Sequence, residues 1–297
     1  VILVPLPDHP YYLWQALVQA VYLKGKGWPV TFLVYKRGPA PSTRLLRIMG
    51  AGLGEWLVWD EWRPAGRRGY NAAMKPWLVG KFLEENPHLV GEQLLILDPD
   101  ALPLRQWPGT IKGVLYGTDT DSYTGPEYLQ SKNAWLPLCE LVGVDPDRAA
   151  KYRGVGAQYV TTGLPGAWWE AVAELSVEAF KLLQRIPVPP GDQYAVQAWC
   201  AEMYVTQLAA IRDGVTPIGH GGMNMVWANG PLGAWETHGF FHDAGQHVPD
   251  PKHLCKTIYQ SSPWGLKEPL RVDPDSASAP YVDLIRQVEE QYPELTW

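Results

Sequence analysis

The chain has 297 residues, enough for one large α/β domain or two small ones with a real core. Hydrophobic residues make up 46% and charged residues 19%, which excludes disorder as the main state. The net charge of −6 argues against a protein whose main task is to coat nucleic acid, although a local basic groove stays open. Arg63, Arg67, Arg68, Lys75 and Lys81 form the most basic stretch. Cys139, Cys200 and Cys255 are odd in number and show no CxxC spacing, so neither a disulfide framework nor a zinc ribbon is indicated, and a reducing cytoplasm is the simplest home. The opening VILVPLPDHPYYLW has no basic n-region and is broken by prolines, so it does not read as a signal peptide. No apolar run approaches the ~20 residues of a membrane span, and no membrane partner is expected. Fifteen tryptophans suit stacking on flat ligands such as sugars or bases, but plain core and surface packing is the simpler reading.

In chain order, VILVPLP reads as a buried strand ended by Pro and Asp, and Leu13, Trp14, Leu17, Val18 and Val21 then recur at helical spacing. GKGWP breaks that helix before a second strand, VTFLVY. STRLLRIMGAG is a short helix with Ser42 as its N-cap. EWLVWDEW is a third strand, KPWLVGKFLEEN a helix with Pro76 in its first turn, and EQLLILDPD a fourth strand. This alternation predicts an α/β fold built on a mainly parallel sheet with helices on both faces, where ligands sit beyond the carboxyl ends of the strands. GVLYGTDTDSY reads as a strand and a polar loop, GVGAQYVTTG as a strand, and AWWEAVAELSVEAFKLLQRI as a helix. PVPPGDQ is a loop, and YAVQAWCAEMYVTQLAAIRDG is one long helix with Asp192 as a good N-cap. After Gly214 the chain reads as loops and short strands. No repeat or linker interrupts it, so residues 1–297 are expected to form a single domain, with 1–104 as one half, 105–250 as the other, and 251–297 as a C-terminal extension.

Asp98 and Asp100 sit where the fourth strand ends. In extended chain, residues two apart point to the same side. Two carboxylates held that close repel unless a cation intervenes. A divalent ion with oxygen ligands resolves this, and Mg²⁺ or Mn²⁺ held by carboxylates commonly also binds substrate phosphates. Asp-Pro-Asp is also good turn chemistry. THGFFHDAGQH offers His238, His242 and His247 as a third ligand, and His242, after the strand-like GFF, is the best placed to reach back.

YNAAMKPW before a helix, LLILDPDALPL, and a late His in FFHDAG together resemble a GT-A glycosyltransferase. VPLPDHPYYLWQ, TDTDSY, GVGAQY, WWEAV and QAWCAEMY extend the resemblance to bacteriophage proteins of this kind. KPW, LDPD and AEMY also resemble the hydroxyproline arabinosyltransferase and peptidyl-serine galactosyltransferase group. The likeness spans roughly residues 4–245. It implies a GT-A fold in which Asp98 lies near the ribose and the metal, Asp100 ligates Mn²⁺ or Mg²⁺ directly, and His242 completes the set against the diphosphate of a nucleotide sugar, such as a UDP-sugar.

Other roles follow from residue type and place. Lys75, at a helix start, is a candidate phosphate ligand, and Pro7 and Asp8, at the first strand's tip, are candidates to line the base and ribose. Glu202 shares a helical stripe with Ala195, Ala198, Trp199 and Thr206. A buried carboxylate is costly without a pocket or a partner, so it is a candidate general base or stabiliser of an oxocarbenium-like transition state, or one half of a buried ion pair. Asp192 and Gln193 compete for that role. Gln158 follows glycines that let backbone approach a sugar, and Asp119 and Asp121 are placed to bind sugar hydroxyls or to cap a loop.

The resulting expectation is a metal-dependent glycosyltransferase, hexosyl or pentosyl, acting on a hydroxyl acceptor. The phage likeness points to a 5-hydroxymethylpyrimidine in duplex DNA, such as 5-hydroxymethylcytosine, in the cytoplasm of an infected bacterium. Such an acceptor needs a basic track around residues 63–68 and a flipped base. The rivals are a protein hydroxyl or glycan acceptor, a non-catalytic nucleotide-sugar or carbohydrate-binding protein, and a metal-dependent phosphohydrolase.

Overall fold

The computed structural model describes residues 1–297 apart from 64–68, 245–248 and 266–269. In chain order its first elements are β1 (Ile2–Pro7), α1 (Pro10–Gly25), β2 (Val30–Lys36), α2 (Thr43–Gly50), β3 (Glu55–Asp60), α3 (Met74–Glu85), β4 (Leu94–Ile96), β5 (Ala101–Pro103) and β6 (Val114–Asp119). Four short helices follow, α4 (Asp121–Thr124), α5 (Pro126–Ser131), α6 (Trp135–Val142) and α7 (Pro146–Ala149). Then come β7 (Val155–Thr161), α8 (Gly166–Leu183), α9 (Ala201–Arg212), β8 (Thr216–Gly219), β9 (Met225–Trp227), β10 (Phe240–His242) and α10 (Ser278–Gln291). They fall into two units. One comprises Val1–Glu61, Leu97–Trp107 and Asn224–Trp297, the other Trp62–Ile96 and Pro108–Met223.

In the first unit β3, β2 and β1 lie side by side and all parallel, with Leu3 opposite Thr31 and Val34 opposite Val58. Ile2 to Leu6 are all buried, as a continuous apolar run requires. α1 buries Leu13, Trp14, Leu17, Val18 and Val21, the residues its periodicity selects, and also Gln15 and Gln19. Ser42 caps α2 by accepting the Leu45 N–H at 3.2 Å. A second, small sheet runs β5-β10-β9. The C-terminal stretch contains α10, which the sequence reading left as an extension. α10 packs on α1, and its Tyr281, Val282, Ile285 and Val288 are all buried. Each fully buried aliphatic side chain of this kind contributes roughly 1.5–3 kcal/mol.

In the second unit the strands run β4-β7-β6-β8. β8 is parallel to β6, but β7 is antiparallel to both β4 and β6, which departs from the parallel order expected there. The segment expected as a polar loop after β6 folds instead into α4–α7. It brings the chain back to enter β7 from the end at which β6 stopped, so no crossover helix is needed. The β6–β7 register shifts between Gly117 and Thr118, and Ala157 takes a left-handed φ of 61° at this bulge. α3 and α8 approach closely because two glycines face one another: a Cβ on Gly80 would lie 2.9 Å from the Gly166 carbonyl oxygen.

The long helix expected from residue 194 begins later. A 3-10 turn covers Ala198–Cys200 and α9 starts at Ala201. Gln197 is satisfied from outside an α-helix: its N–H donates to the Tyr128 hydroxyl at 3.1 Å, and its carbonyl accepts the Tyr204 hydroxyl at 3.2 Å and the Cys200 N–H at 3.0 Å in the 3-10 turn. Asp192 therefore caps no helix and pairs with Lys132 at 2.9 Å. Among the described residues no helix is long and apolar enough to cross a membrane. Trp14, Trp56, Trp77, Trp135, Trp169 and Trp264 are buried, so much of the tryptophan content is core packing, while Trp199 is exposed.

Candidate metal centre and its surroundings

The chain passes through a tight turn at Asp98-Pro99-Asp100-Ala101, closed by the Ala101 N–H on the Asp98 carbonyl at 3.1 Å. Proline at the second position presets the backbone for it. The carboxylates thus converge on a turn and not, as the extended-chain argument had it, on one face of a strand. Gln19 of α1 holds this turn from below, its Nε2 donating to the carbonyls of Asp98 at 3.0 Å and Ala101 at 2.5 Å. Tyr22, one helical turn on, donates to the Pro103 carbonyl at 2.8 Å.

His242 arrives through the small sheet. β10 pairs antiparallel with β5 so that His242 stands opposite Ala101, and the Asp243 N–H donates to the Asp100 carbonyl at 3.0 Å. On the other flank His242 lies opposite Trp227 of β9, whose ring stacks on the imidazole at 5.4 Å between centroids. The result is a compact group. His242 Nε2 lies 3.8 Å from Asp98 Oδ2 and 3.4 Å from Asp100 Oδ1, and one ligand atom from each residue falls within 4.8 Å of the others. Ligands about 2.1 Å from an octahedral ion lie roughly 3 to 4.2 Å apart, and both imidazole–carboxylate separations fall in that range, as a shared divalent cation requires. Asp100 and His242 are nearly buried, while Asp98 keeps 24% of its side chain exposed, which gives the group an open side.

Lys256 completes the surroundings. It belongs to a 3-10 turn, Lys256–Ile258, and its ammonium contacts Asp100 Oδ2. Burial pulls its pKa down to about 7, against the opposing charge of Asp98. No feature of the sequence singled it out, since a lone lysine in a loop-rich stretch is ordinarily solvated. Asp243 is buried, and burial pushes its carboxyl well above the usual carboxylate range. His238 is not with the triad and its Nδ1 lies 3.1 Å from the Ala234 carbonyl oxygen; His247 lies outside the described residues.

Pro7 ends β1 as expected, but the next residue is already engaged. Both oxygens of Asp8 accept from Ser42, one from its N–H at 2.6 Å and one from its hydroxyl at 2.5 Å. Asp8 thereby ties the end of β1 to the start of α2.

The other predicted residues belong to the second unit. Glu202 is buried at 2% exposure. Its carboxylate lies 3.5 Å from Lys75 Nζ and accepts the Thr206 hydroxyl at 3.4 Å, while its N–H donates to the Tyr70 hydroxyl at 2.7 Å. Lys75 also donates to the Ala157 carbonyl at 3.0 Å. The two residues assigned separate tasks from sequence are thus partners, and Glu202 is half of a buried ion pair with a lysine. Gln158, next to the strained Ala157, is fully buried with neither amide atom hydrogen-bonded. Asp119 pairs with Arg153 at 2.9 Å and accepts the Asp121 N–H, and Asp121 accepts the Gly154 N–H at 2.7 Å, so both order the loop after β6. The described members of the basic stretch do not form an open track. Arg63 is buried with its guanidinium on the Tyr70 carbonyl, Lys81 pairs with Glu84 and Glu170, and Arg67 and Arg68 lie outside the described residues.

No family model and no curated protein matches this sequence. Solved structures do. The chain is similar to the galactosyltransferase LgtC in complex with donor and acceptor sugar analogues, with a TM-score of 0.50 and 12% identity over 96% of this chain and 95% of that one. An active-site mutant of LgtC matches with a TM-score of 0.53 at the same identity and coverage. The fold is of the GT-A type. Within this GT-A fold, the α/β architecture with a mostly parallel sheet flanked by helices agrees with the sequence reading. At 12% identity the likeness speaks for architecture, and chemistry has to be argued from the side chains.

Proposed function

We propose that the protein is a metal-dependent glycosyltransferase that moves a sugar from a nucleotide sugar to a hydroxyl acceptor. The observation that carries this reading is the Asp98–Asp100–His242 group, three ligand atoms within 4.8 Å in a chain with the GT-A fold. Mn²⁺ or Mg²⁺ suits the donor set, and when bound such an ion supplies Lewis-acid stabilisation to a leaving nucleoside diphosphate. Asp98 and Asp100 are the anionic ligands, and Gln19 fixes the turn that presents them. The ring of Trp227 restrains the His242 imidazole so that Nε2 faces the carboxylates.

Arg63, Lys75 and Lys81 all have internal partners, so they offer no track along a duplex. This favours a glycan or other small hydroxyl acceptor over hydroxymethylated DNA. The test is to incubate the protein and Mn²⁺ with a panel of nucleotide sugars. Oligosaccharides, hydroxylated peptides and hydroxymethylated duplex DNA serve as acceptors, and products are read by mass spectrometry. Transfer to any acceptor, lost without the ion, is the expected result. Donor binding with neither transfer nor hydrolysis would make the chain a binding protein. Phosphate or nucleotide release with water alone, and no glycosylated product, would make it a hydrolase.

A further inference from the structure

We propose that Lys256 sets the affinity of the Asp98–Asp100–His242 centre for divalent cations and keeps it low. The inference rests on the metal-centre reading. It starts from the two faces of one carboxylate: Asp100 Oδ1 looks toward His242 Nε2 at 3.4 Å, and Oδ2 takes the Lys256 ammonium. An ion shared by Asp98, Asp100 and His242 therefore binds a carboxylate whose charge a lysine already draws on from the other side.

The charge count makes the same point. Asp98 and Asp100 carry two negative charges, the protonated Lys256 against Asp100 returns one positive charge, and a neutral imidazole adds none, so with the ammonium in place the centre stands at −1 and not −2. Lys256 is also held in place. The Tyr259 N–H closes its turn on the Lys256 carbonyl at 2.9 Å, and the Tyr259 carbonyl accepts the Trp14 indole N–H at 3.0 Å. On the other side the Leu254 N–H donates to the Ser278 hydroxyl at 3.0 Å. The backbone on both flanks of Lys256 is thus anchored beside the carboxylates. A unit charge taken at about 6 Å from a dication lowers affinity about tenfold even in a water-like dielectric, and more where the surroundings are drier.

The experiment is a Mn²⁺ titration of the full chain without donor, followed by electron paramagnetic resonance of the free ion. It compares wild type, Lys256→Met, Lys256→Gln and Lys256→Arg. Lys256→Gln removes the charge while keeping a donor for Asp100, so it reports even if Lys256→Met fails to fold. The expected result is a dissociation constant at least about tenfold lower in the neutral variants and unchanged in Lys256→Arg. Equal or weaker Mn²⁺ binding in well-folded neutral variants, with binding still abolished by Asp100→Asn, would overturn the proposal and leave the metal centre standing. Absence of Mn²⁺ binding in every protein, Asp100→Asn included, would overturn both.

Discussion

The Asp98–Asp100–His242 group and the Lys75–Glu202 pair are both built from charged, largely buried side chains, yet their balance is opposite. The first collects two carboxylates from a tight turn and an imidazole from β10, with one lysine on the far side, and stays net negative. The second matches one carboxylate to one ammonium and adds hydroxyl and carbonyl partners. A self-satisfied pair holds structure together, whereas a charge excess maintained by neighbouring hydrogen bonds is a standing demand for something else to bind. Burial alone does not separate the two cases, but charge balance does.

Removing a ligand should break the comparison most sharply. Asp100→Asn or His242→Ala is expected to lower sugar transfer on the order of 10²–10³-fold. The accompanying fall in urea midpoint should be smaller than for Glu202→Gln, and activity and unfolding measured on the same samples check this. Glu202→Gln strands a buried ammonium and should cost about 3 kcal/mol of stability. Adding Lys75→Met to it should recover most of that loss. If the double variant is as unstable as the single, the pair is not the self-balanced structure described here. A smaller effect is expected next to Lys75. Ala157 holds φ at 61°, so Ala157→Gly should gain about 0.5 kcal/mol after allowing for the freer unfolded chain. A loss in chemical denaturation would show that the bulge is not strained. The least perturbing test is alkylation. Burial pushes the Cys139 thiol up to about 11 and Cys200 up to about 12, so both stay protonated at pH 8. A thiol reagent should leave these two untouched in the folded protein and modify them after unfolding, and labelling of native Cys200 would place α9 in a looser state than described.

Much of the centre could be read in advance because its members carry local signals. Asp98 and Asp100 stand beside a proline at the end of an apolar run, and His242 follows an apolar triplet. The reason the carboxylates meet was misjudged, since a turn and a strand end share the same letters. The start of α9 was missed because the groups that satisfy Gln197 come from Tyr128 and Tyr204, one of them far away in sequence. The antiparallel β7 depended on the path of α4–α7, short helices whose apolar stripes are too brief to stand out. Lys256 had no signal at all: its meaning comes from a contact with residue 100, which no window around residue 256 contains. The Lys75–Glu202 pairing was hidden in the same way, and two roles were assigned where one interaction exists.

The delivery of His242 by β10 has a temporal side. Asp100 and His242 are about 140 residues apart in the chain, and β5 cannot meet β10 until nearly everything between them has been made and ordered. A ribosome-bound chain that has emerged only as far as β9 should already contain both carboxylates and lack a site. Capture of the ion would then be a late event in the life of the polypeptide, a mark that its distal third has come home.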